Sequence, residues 1–174
     1  VALVPDLQPS VIAQALQSFK VAGHRGQQVA EARGIVAIDN SKATNPHAAD
    51  SALAGHDSVI WVAGGQLKGA EVDDLIARHA HRLKAVALLG VDRNIMRESV
   101  EKHAPGVPIF VTDDTDPQSA MDAVCAWAVT QASSGDAIVL APAAASLDMY
   151  TGMGQRGVLF AESVSAHLGG VAPK

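Results

Sequence analysis

The sequence is poor in aromatic residues, cysteine and long apolar runs, and each scarcity excludes a class of protein. Phe, Trp and Tyr make up 3% of the 174 residues, so few rings are available for stacking on nucleic-acid bases. A single cysteine, Cys125, cannot form an internal disulfide, and its apolar neighbours predict a buried, unreactive thiol. The apolar run from Ala85 to Gly90 is far shorter than the ~20 residues that cross a bilayer. Disulfide scaffolds and membrane-spanning proteins are therefore excluded.

Charge is also sparse. Charged residues make up 18% of the chain and the net charge is −5, so no overall field favours nucleic acid or an anionic membrane. Hydrophobic residues at 48% supply an aliphatic core, and the length fits one domain of ordinary size. The single cysteine fits a reducing, cytoplasmic setting. We expect a monomer that binds neither nucleic acid nor membrane.

Short β-branched runs alternate with segments of helical period, which predicts an α/β fold. Arg33 and Gly34 separate the first two runs as a hairpin turn would, so we expect a mostly parallel six-stranded sheet with one antiparallel strand and helices on both faces. The predicted strands are Val29–Ala32, Ile35–Ile38, Val59–Ala63, Val86–Leu89, Ile109–Val111 and Ile138–Leu140. The predicted helices are Pro46–Ala54, Val72–His79, Asn94–His103, Pro117–Ala132 and Val158–Leu168. A further amphipathic helix, from about Pro9 to Lys20, has no strand before it and could cap the sheet or end a preceding domain.

Three loops at the ends of predicted strands carry the polar residues that could bind a ligand. Ligands of open α/β sheets bind at the carboxyl ends of the strands, and the loops there are 39–45, 64–69 and 141–148. The first offers Lys42 and Thr44 before a helix N-terminus, which favours a carboxylate or phosphate. Each feature alone has a simpler interpretation: Thr44 or Asn45 caps the helix, Lys68 is a surface lysine, and Ser146 begins a turn. Their convergence on one edge favours an anion site.

Nucleotide and metal motifs give no support of their own. The segment 152–157 matches G-x-G-x-x-G, but no strand directly precedes it, so we interpret it as a flexible turn into the last helix. No G-x-x-x-x-G-K-[ST] loop is present in the sequence, and no histidine pair has the spacing of a helical metal site. We expect no metal ligands in this chain.

The arrangement of these blocks resembles the C-terminal domain of the Mur ligases, from about Gly23 to Leu168 in the same order. The block S-K-A-T-N, residues 41–45, is similar to that of the branch that adds D-glutamate. The other matching residues are Gly23-His24-Arg25, Gly64-Gly65 with Lys68, Ala141-Pro142, Ala145 to Asp148, and Gln155-Arg156-Gly157. The resemblance implies a Rossmann-like domain over residues 23–174, with residues 1–22 as the terminal helix and linker of a preceding central ATPase domain.

The resemblance also implies roles for individual residues. Thr44, Lys68, Ser146 and the backbone at Leu147 would hold the carboxylates of D-glutamate. Lys42 would lie close to the reacting groups as the catalytic cation, while Arg25 and Asn40 would contact the nucleotide. The family usually has Asp where this chain has Asn40, with Asp39 before it, and often an aromatic residue where it has Met153; Tyr150 is a possible substitute.

In such ligases ATP and Mg²⁺ activate a carboxylate of UDP-N-acetylmuramoyl-L-alanine, to which the amine of D-glutamate then adds. The phosphate loop and magnesium ligands belong to the central domain, so we expect this chain alone to be inactive. Two other functions stay open on the residues themselves: a freestanding flavodoxin-like module that binds a small anion without catalysis, and an interaction domain whose loops carry no ligand.

Overall fold

The computed structural model describes residues 23–169, and they form one six-stranded sheet with helices on both faces. The predicted helix at Pro9–Lys20 and the domain boundary at residue 22 lie outside the described residues. The strands are β1 (Gln27–Ala32), β2 (Ile35–Asp39), β3 (Val59–Gly64), β4 (Leu83–Leu89), β5 (Ile109–Val111) and β6 (Ala137–Leu140). The helices are α1 (Pro46–Ala54), α2 (Asp73–His79), α3 (Arg93–His103), α4 (Pro117–Gln131) and α5 (Met153–Leu168), with a 3-10 turn at Ala80–Arg82. Every strand and helix predicted within this part of the chain is present.

The sheet has the order β1-β2-β6-β3-β4-β5. Strands β1 and β2 pair antiparallel, and the other neighbours pair parallel. The hairpin turn has positive φ at Arg33 (55°) and Gly34 (73°), as expected for the turn that matches strand twist. The mostly parallel sheet is thus confirmed. Strand β6 comes last in the sequence but lies between β2 and β3.

The core forms two layers because successive side chains of a strand point to opposite faces of the sheet. In β3, Trp61 packs with Leu53 and Met96 on the side of α1, α2 and α3. Its neighbour Ile60 packs with Phe160 on the side of α4 and α5. Because both faces of the sheet are covered, the polar groups that remain accessible at the strands are those of the edges and loops.

Cys125 lies in the second layer and is fully buried. Desolvation raises the pKa of its thiol well above the ordinary value, so the thiol stays protonated at neutral pH. The predicted burial of this cysteine is confirmed. Among residues 23–169, no helix combines the length and apolar character needed to cross a bilayer.

Helix α5 begins at Met153 rather than at the predicted Val158, and the interpretation of residues 152–157 as a flexible turn is wrong. In the structure a Cβ at Gly157 would lie 2.2 Å from His24 Nδ1 and 2.5 Å from Asp39 Oδ2. Gly157 is therefore a helical residue that leaves room for close contacts of α5 with His24 and Asp39.

Candidate functional site

The three predicted loops lie side by side, because they follow the adjacent strands β2, β6 and β3. Backbone hydrogen bonds join them. The N–H of Ala143 donates to the carbonyl of Ala43 at 3.0 Å, and Gln66 and Ala145 exchange two bonds of 2.9 Å. The predicted convergence of polar loops on one edge of the sheet is confirmed.

The loop after β2 ends in a helix N-terminus. Asn45 caps α1, since its Oδ1 accepts a hydrogen bond from the N–H of Ala48 at 2.9 Å. The cap is therefore Asn45 and not Thr44, whose half-buried side chain precedes it. The first turn of α1 contains no acidic residue that would offset the positive end of the helix dipole. The loop retains the electrostatic character of an anion site.

A hollow of about 440 Å³ brings together the residues predicted to contact the nucleotide, Arg25 and Asn40, and the predicted catalytic Lys42. Arg25 is exposed and Lys42 is partly buried. The Oδ1 of Asn40 accepts a hydrogen bond from the N–H of Gly26 at 2.7 Å, so it holds the backbone beside Arg25. This leaves the amide NH₂ of Asn40 as the group that could donate to a ligand.

The pair His24–Asp39 holds the segment around Arg25 against the loop after β2. His24 Nδ1 lies 2.6 Å from Asp39 Oδ2, and the carboxylate is buried. The second oxygen of Asp39 accepts from the N–H of Ser41 at 2.7 Å, and the carbonyl of His24 accepts from the N–H of Lys42 at 3.2 Å. Asp39 and Asn40 together thus hold residues 24–26 against the loop that carries Lys42.

Lys68 lies on a tight turn after β3 and lines a second hollow of about 620 Å³. Its φ of 55° is in the left-handed region, which is strained for a residue with a Cβ. The side chain is exposed. The N–H of the preceding Leu67 donates to Asp92 Oδ2 at 2.7 Å. An exposed ammonium is thus carried by a constrained backbone.

The loop after β6 turns at Ser146, whose carbonyl accepts from the N–H groups of Met149 (3.2 Å) and Tyr150 (2.8 Å). Ser146 is buried, and Leu147 projects outward with 68% of its surface exposed. Tyr150 packs in the core with 4% exposure, so it does not substitute for the aromatic residue; Met153, 41% exposed, lies at the surface instead.

Arg156 is the main feature that sequence reasoning left without a role. It is 1% exposed, and its guanidinium donates to the carbonyls of Ser41 and Ala144 at 3.0 to 3.2 Å, to that of Gly64 at 3.4 Å and to the hydroxyl of Ser41 at 3.2 Å. The buried side chain of Arg156 therefore bonds the loops after β2, β3 and β6 at once. Burial lowers its pKa to about 10, which leaves it protonated at neutral pH.

Together these features define a class: an α/β domain whose cationic side chains stand on interlinked loops at the carboxyl edge of its sheet, the edge at which open α/β sheets bind their ligands. Within residues 23–169 no group of three or more His, Cys, Asp or Glu is arranged to hold a metal ion.

Residues 24–144 match the family described as Mur ligase, glutamate ligase domain, and the chain belongs to this family. A relative from Corynebacterium diphtheriae, named UDP-N-acetylmuramoylalanine--D-glutamate ligase, is 68% identical over 90% of this chain. A protein of the same name from Corynebacterium efficiens is 59% identical over 94% of it. The chain spans about a third of the length of these relatives: 33% of the first and 34% of the second.

Solved structures show the same fold at low sequence identity. The UDP-N-acetylmuramate-alanine ligase of Thermotoga maritima superposes on 90% of this chain with a TM-score of 0.59 and 12% identity, and the match covers 33% of that structure. The Rossmann-like mostly parallel sheet is therefore confirmed.

Proposed function

We propose that this chain is the C-terminal, D-glutamate-binding domain of a cytoplasmic ATP-dependent ligase that joins D-glutamate to UDP-N-acetylmuramoyl-L-alanine in peptidoglycan precursor synthesis. The observation that carries the proposal is the linkage of three loops at adjacent strand ends, with Thr44, Lys68 and Ser146 on separate loops. The identity of 68% to a relative bearing that enzyme's name supports the choice of substrate.

D-Glutamate carries two carboxylates and an amine, so its site needs cationic and hydrogen-bonding groups on more than one side. In the proposal Thr44, Lys68, Ser146 and the backbone at Leu147 hold the carboxylates. With its carboxylates held in this way, D-glutamate directs its amine toward the carboxylate of UDP-N-acetylmuramoyl-L-alanine, and the reaction is accelerated by proximity and orientation. Lys42 stands at the junction with the nucleotide hollow, where a cation offsets the negative charge that develops during transfer.

The nucleotide residues are Arg25 and Asn40. The guanidinium of Arg25 is exposed beside Lys42, and two cations around one hollow fit the phosphates of ATP. ATP, bound with Mg²⁺, would transfer its terminal phosphoryl group to the substrate carboxylate with release of ADP, and the amine of D-glutamate would then displace phosphate from the acyl phosphate and lose a proton to give the amide. This chain contributes the orientation of the amine and cations at the edge of the hollow.

The 174-residue chain alone is expected to form no amide from ATP, D-glutamate and UDP-N-acetylmuramoyl-L-alanine. Its cationic hollow is open to solvent on the side where, in the proposal, the remaining domains enclose the reactants. Phosphate release with the purified chain, compared with the full-length enzyme at equal concentration, measures this. ATP-dependent product from the 174 residues would contradict the proposed division of labour.

In the full-length enzyme, Lys68→Ala is expected to raise the KM for D-glutamate about 10- to 100-fold, because a hydrogen bond to a charged group contributes ~1.5–3 kcal/mol. The KM for ATP should stay within about twofold of that of the unmodified enzyme, since Arg25 and Lys42 line a different hollow.

Arg33→Ala is the matched control for Lys68→Ala. Arg33 is also an exposed cation at a φ of 55°, but it lies in the β1–β2 hairpin turn at the opposite edge of the sheet. Arg33→Ala should leave the KM for D-glutamate and the KM for ATP unchanged. Unaltered KM and kcat for D-glutamate in Lys68→Ala would remove Lys68 from the site and contradict the proposed mode of D-glutamate binding.

A further inference from the structure

The loop after β4, residues 90–92, carries none of the predicted site residues, yet it contacts the loops of both Lys68 and Ser146. The N–H of Asp92 donates to the carbonyl of Gly65 at 3.1 Å, and Asp92 Oδ2 accepts from the N–H of Leu67 at 2.7 Å. On the other side, Asp148 Oδ2 accepts from the N–H of Val91 at 2.9 Å. Residues 90–92 therefore connect the turn of Lys68 with the loop of Ser146.

The side chain of Asp92 forgoes the bond that its position would ordinarily provide. Asp92 is the N-cap residue of α3, where an aspartate usually accepts a hydrogen bond from the first turn of the helix. Here it makes no side-chain cap bond. Its carboxylate instead binds the N–H of Leu67, across to another loop. Asp92 therefore bonds the residue directly before Lys68 in place of capping α3.

Asp92 bonds the backbone of Leu67, directly before the strained residue Lys68. A non-glycine residue at a φ of 55° costs free energy and persists only where its surroundings fix it. A carboxylate that accepts from a backbone N–H makes a strong, charge-assisted hydrogen bond. Leu67 is also 6% exposed, so the turn is fixed by packing on one side and by Asp92 on the other.

Close backbone packing leaves this connection little freedom. Gly90 has a φ of 87°, and a Cβ there would lie 2.5 Å from Gly65 Cα and 2.8 Å from Asp148 Oδ2. The loops of β3, β4 and β6 are therefore in contact at Gly90. The tight contact at Gly90 and the bonds of Asp92 to Gly65 and Leu67 thus join residues 90–92 closely to the turn that carries Lys68.

We propose that Asp92 is a positioning residue for the amino-acid site: its carboxylate fixes the backbone at Leu67 so that the Lys68 ammonium is held at one carboxylate of the substrate. This inference rests on the proposed function of Lys68. Asp92 lines the same hollow as Lys68, but its carboxylate is engaged by the N–H of Leu67, so in this proposal its effect on catalysis passes through Lys68.

The test is a double-mutant cycle in the full-length enzyme, using Asp92→Ser, Lys68→Ala and the double variant. Serine remains a good N-cap for α3 but is too short to reach Leu67, so the helix is preserved while the contact is lost. Asp92→Ser is expected to raise the KM for D-glutamate about tenfold with the KM for ATP unchanged. In the Lys68→Ala background the same substitution should add less than about twofold, because the two residues act as one unit.

Two further variants separate positioning from loss of charge or of stability. Asp92→Asn removes the charge but keeps an acceptor, so it should raise the KM for D-glutamate only about two- to threefold. Glu98→Ala removes an exposed carboxylate from the same helix and should change nothing. If Asp92→Ser proves too unstable to assay, Asp92→Asn enters the same cycle, where its smaller effect should vanish in the Lys68→Ala background.

The outcomes distinguish this inference from the proposed function. If Lys68→Ala leaves the KM for D-glutamate unchanged, the proposed function fails, and the positioning role fails with it. Suppose that Lys68→Ala has its expected effect, but Asp92→Ser raises the KM for D-glutamate by the same factor in the Lys68→Ala background as in the unmodified enzyme. Asp92 then acts independently of Lys68, and only the positioning role is overturned. A lowered Tm with an unchanged KM for D-glutamate also overturns it.

Discussion

Replacing Arg156 with methionine should lower the free energy of unfolding of the chain by about 3 kcal/mol. The methionine side chain fills much of the space but leaves the buried carbonyls of Ser41, Gly64 and Ala144 without their donor, and each orphaned group costs ~1–3 kcal/mol. Methionine also removes the cost of burying a charged guanidinium, a cost that the lowered pKa of Arg156 indicates, and this offsets part of the loss. Urea unfolding followed by circular dichroism measures the change.

Arg156→Lys should recover little of this loss, because one ammonium cannot reproduce the fork of donors that reaches three separate loops. Arg97→Met is the matched control. Arg97 is exposed on α3 and pairs with Glu101 at 3.8 Å, a surface contact whose loss costs at most ~0.5 kcal/mol. Stability of Arg156→Met within about 0.5 kcal/mol of the unmodified chain would show that the loops hold together without the guanidinium.

Lys42→Ala in the full-length enzyme should lower kcat about 100-fold or more, the usual effect of removing one group that stabilises developing charge. Lys42 is partly buried, and its N–H is bonded to the carbonyl of His24, so its ammonium starts from a fixed backbone beside Arg25. The effect should fall mainly on kcat, in contrast to Lys68→Ala, which acts mainly on the KM for D-glutamate.

Steady-state kinetics with each substrate varied in turn separate the two effects. Lys102→Ala removes an exposed lysine from the last turn of α3 and should leave kcat unchanged. Lys42→Arg restores the charge in a different shape and should recover part of the rate. A kcat within threefold of the unmodified enzyme in Lys42→Ala would exclude a catalytic role for this lysine.

Much of the fold could be predicted because its elements have strong local signatures. The run Val59–Gly64 is apolar throughout and buried on both faces, as central parallel strands are. Pro46 and Pro117 occupy the first turns of their helices, with Asn45 and Asp116 as caps. The position of β6 between β2 and β3 has no such signature, because strand order depends on long-range packing.

The site was predictable where it depends on loop position and not where it depends on side-chain partners. Lys42, Lys68 and Ser146 follow three apolar runs, and parallel strands bring such loops to one edge. Arg156 gave no signal, since an arginine in a helix is usually exposed and its burial arises from carbonyls on three distant loops. The role proposed for Asp92 has no signal in the sequence for a similar reason: an aspartate directly before a helix ordinarily caps it, and only the tertiary structure shows its bond to Leu67.

The central place of β6 also governs the order in which the protein can become functional during its synthesis. The ribosome produces β2 and β3 well before β6, and neither pairs directly with the other. Until residues 137–140 emerge, both strands present unpaired inner edges of the kind that promotes aggregation. The loop of Ser146 follows directly on β6, so the three linked loops are brought together by the same event that closes the sheet. A nascent chain that stops short of β6 therefore has neither a continuous sheet nor the linked loops on which the proposed site depends.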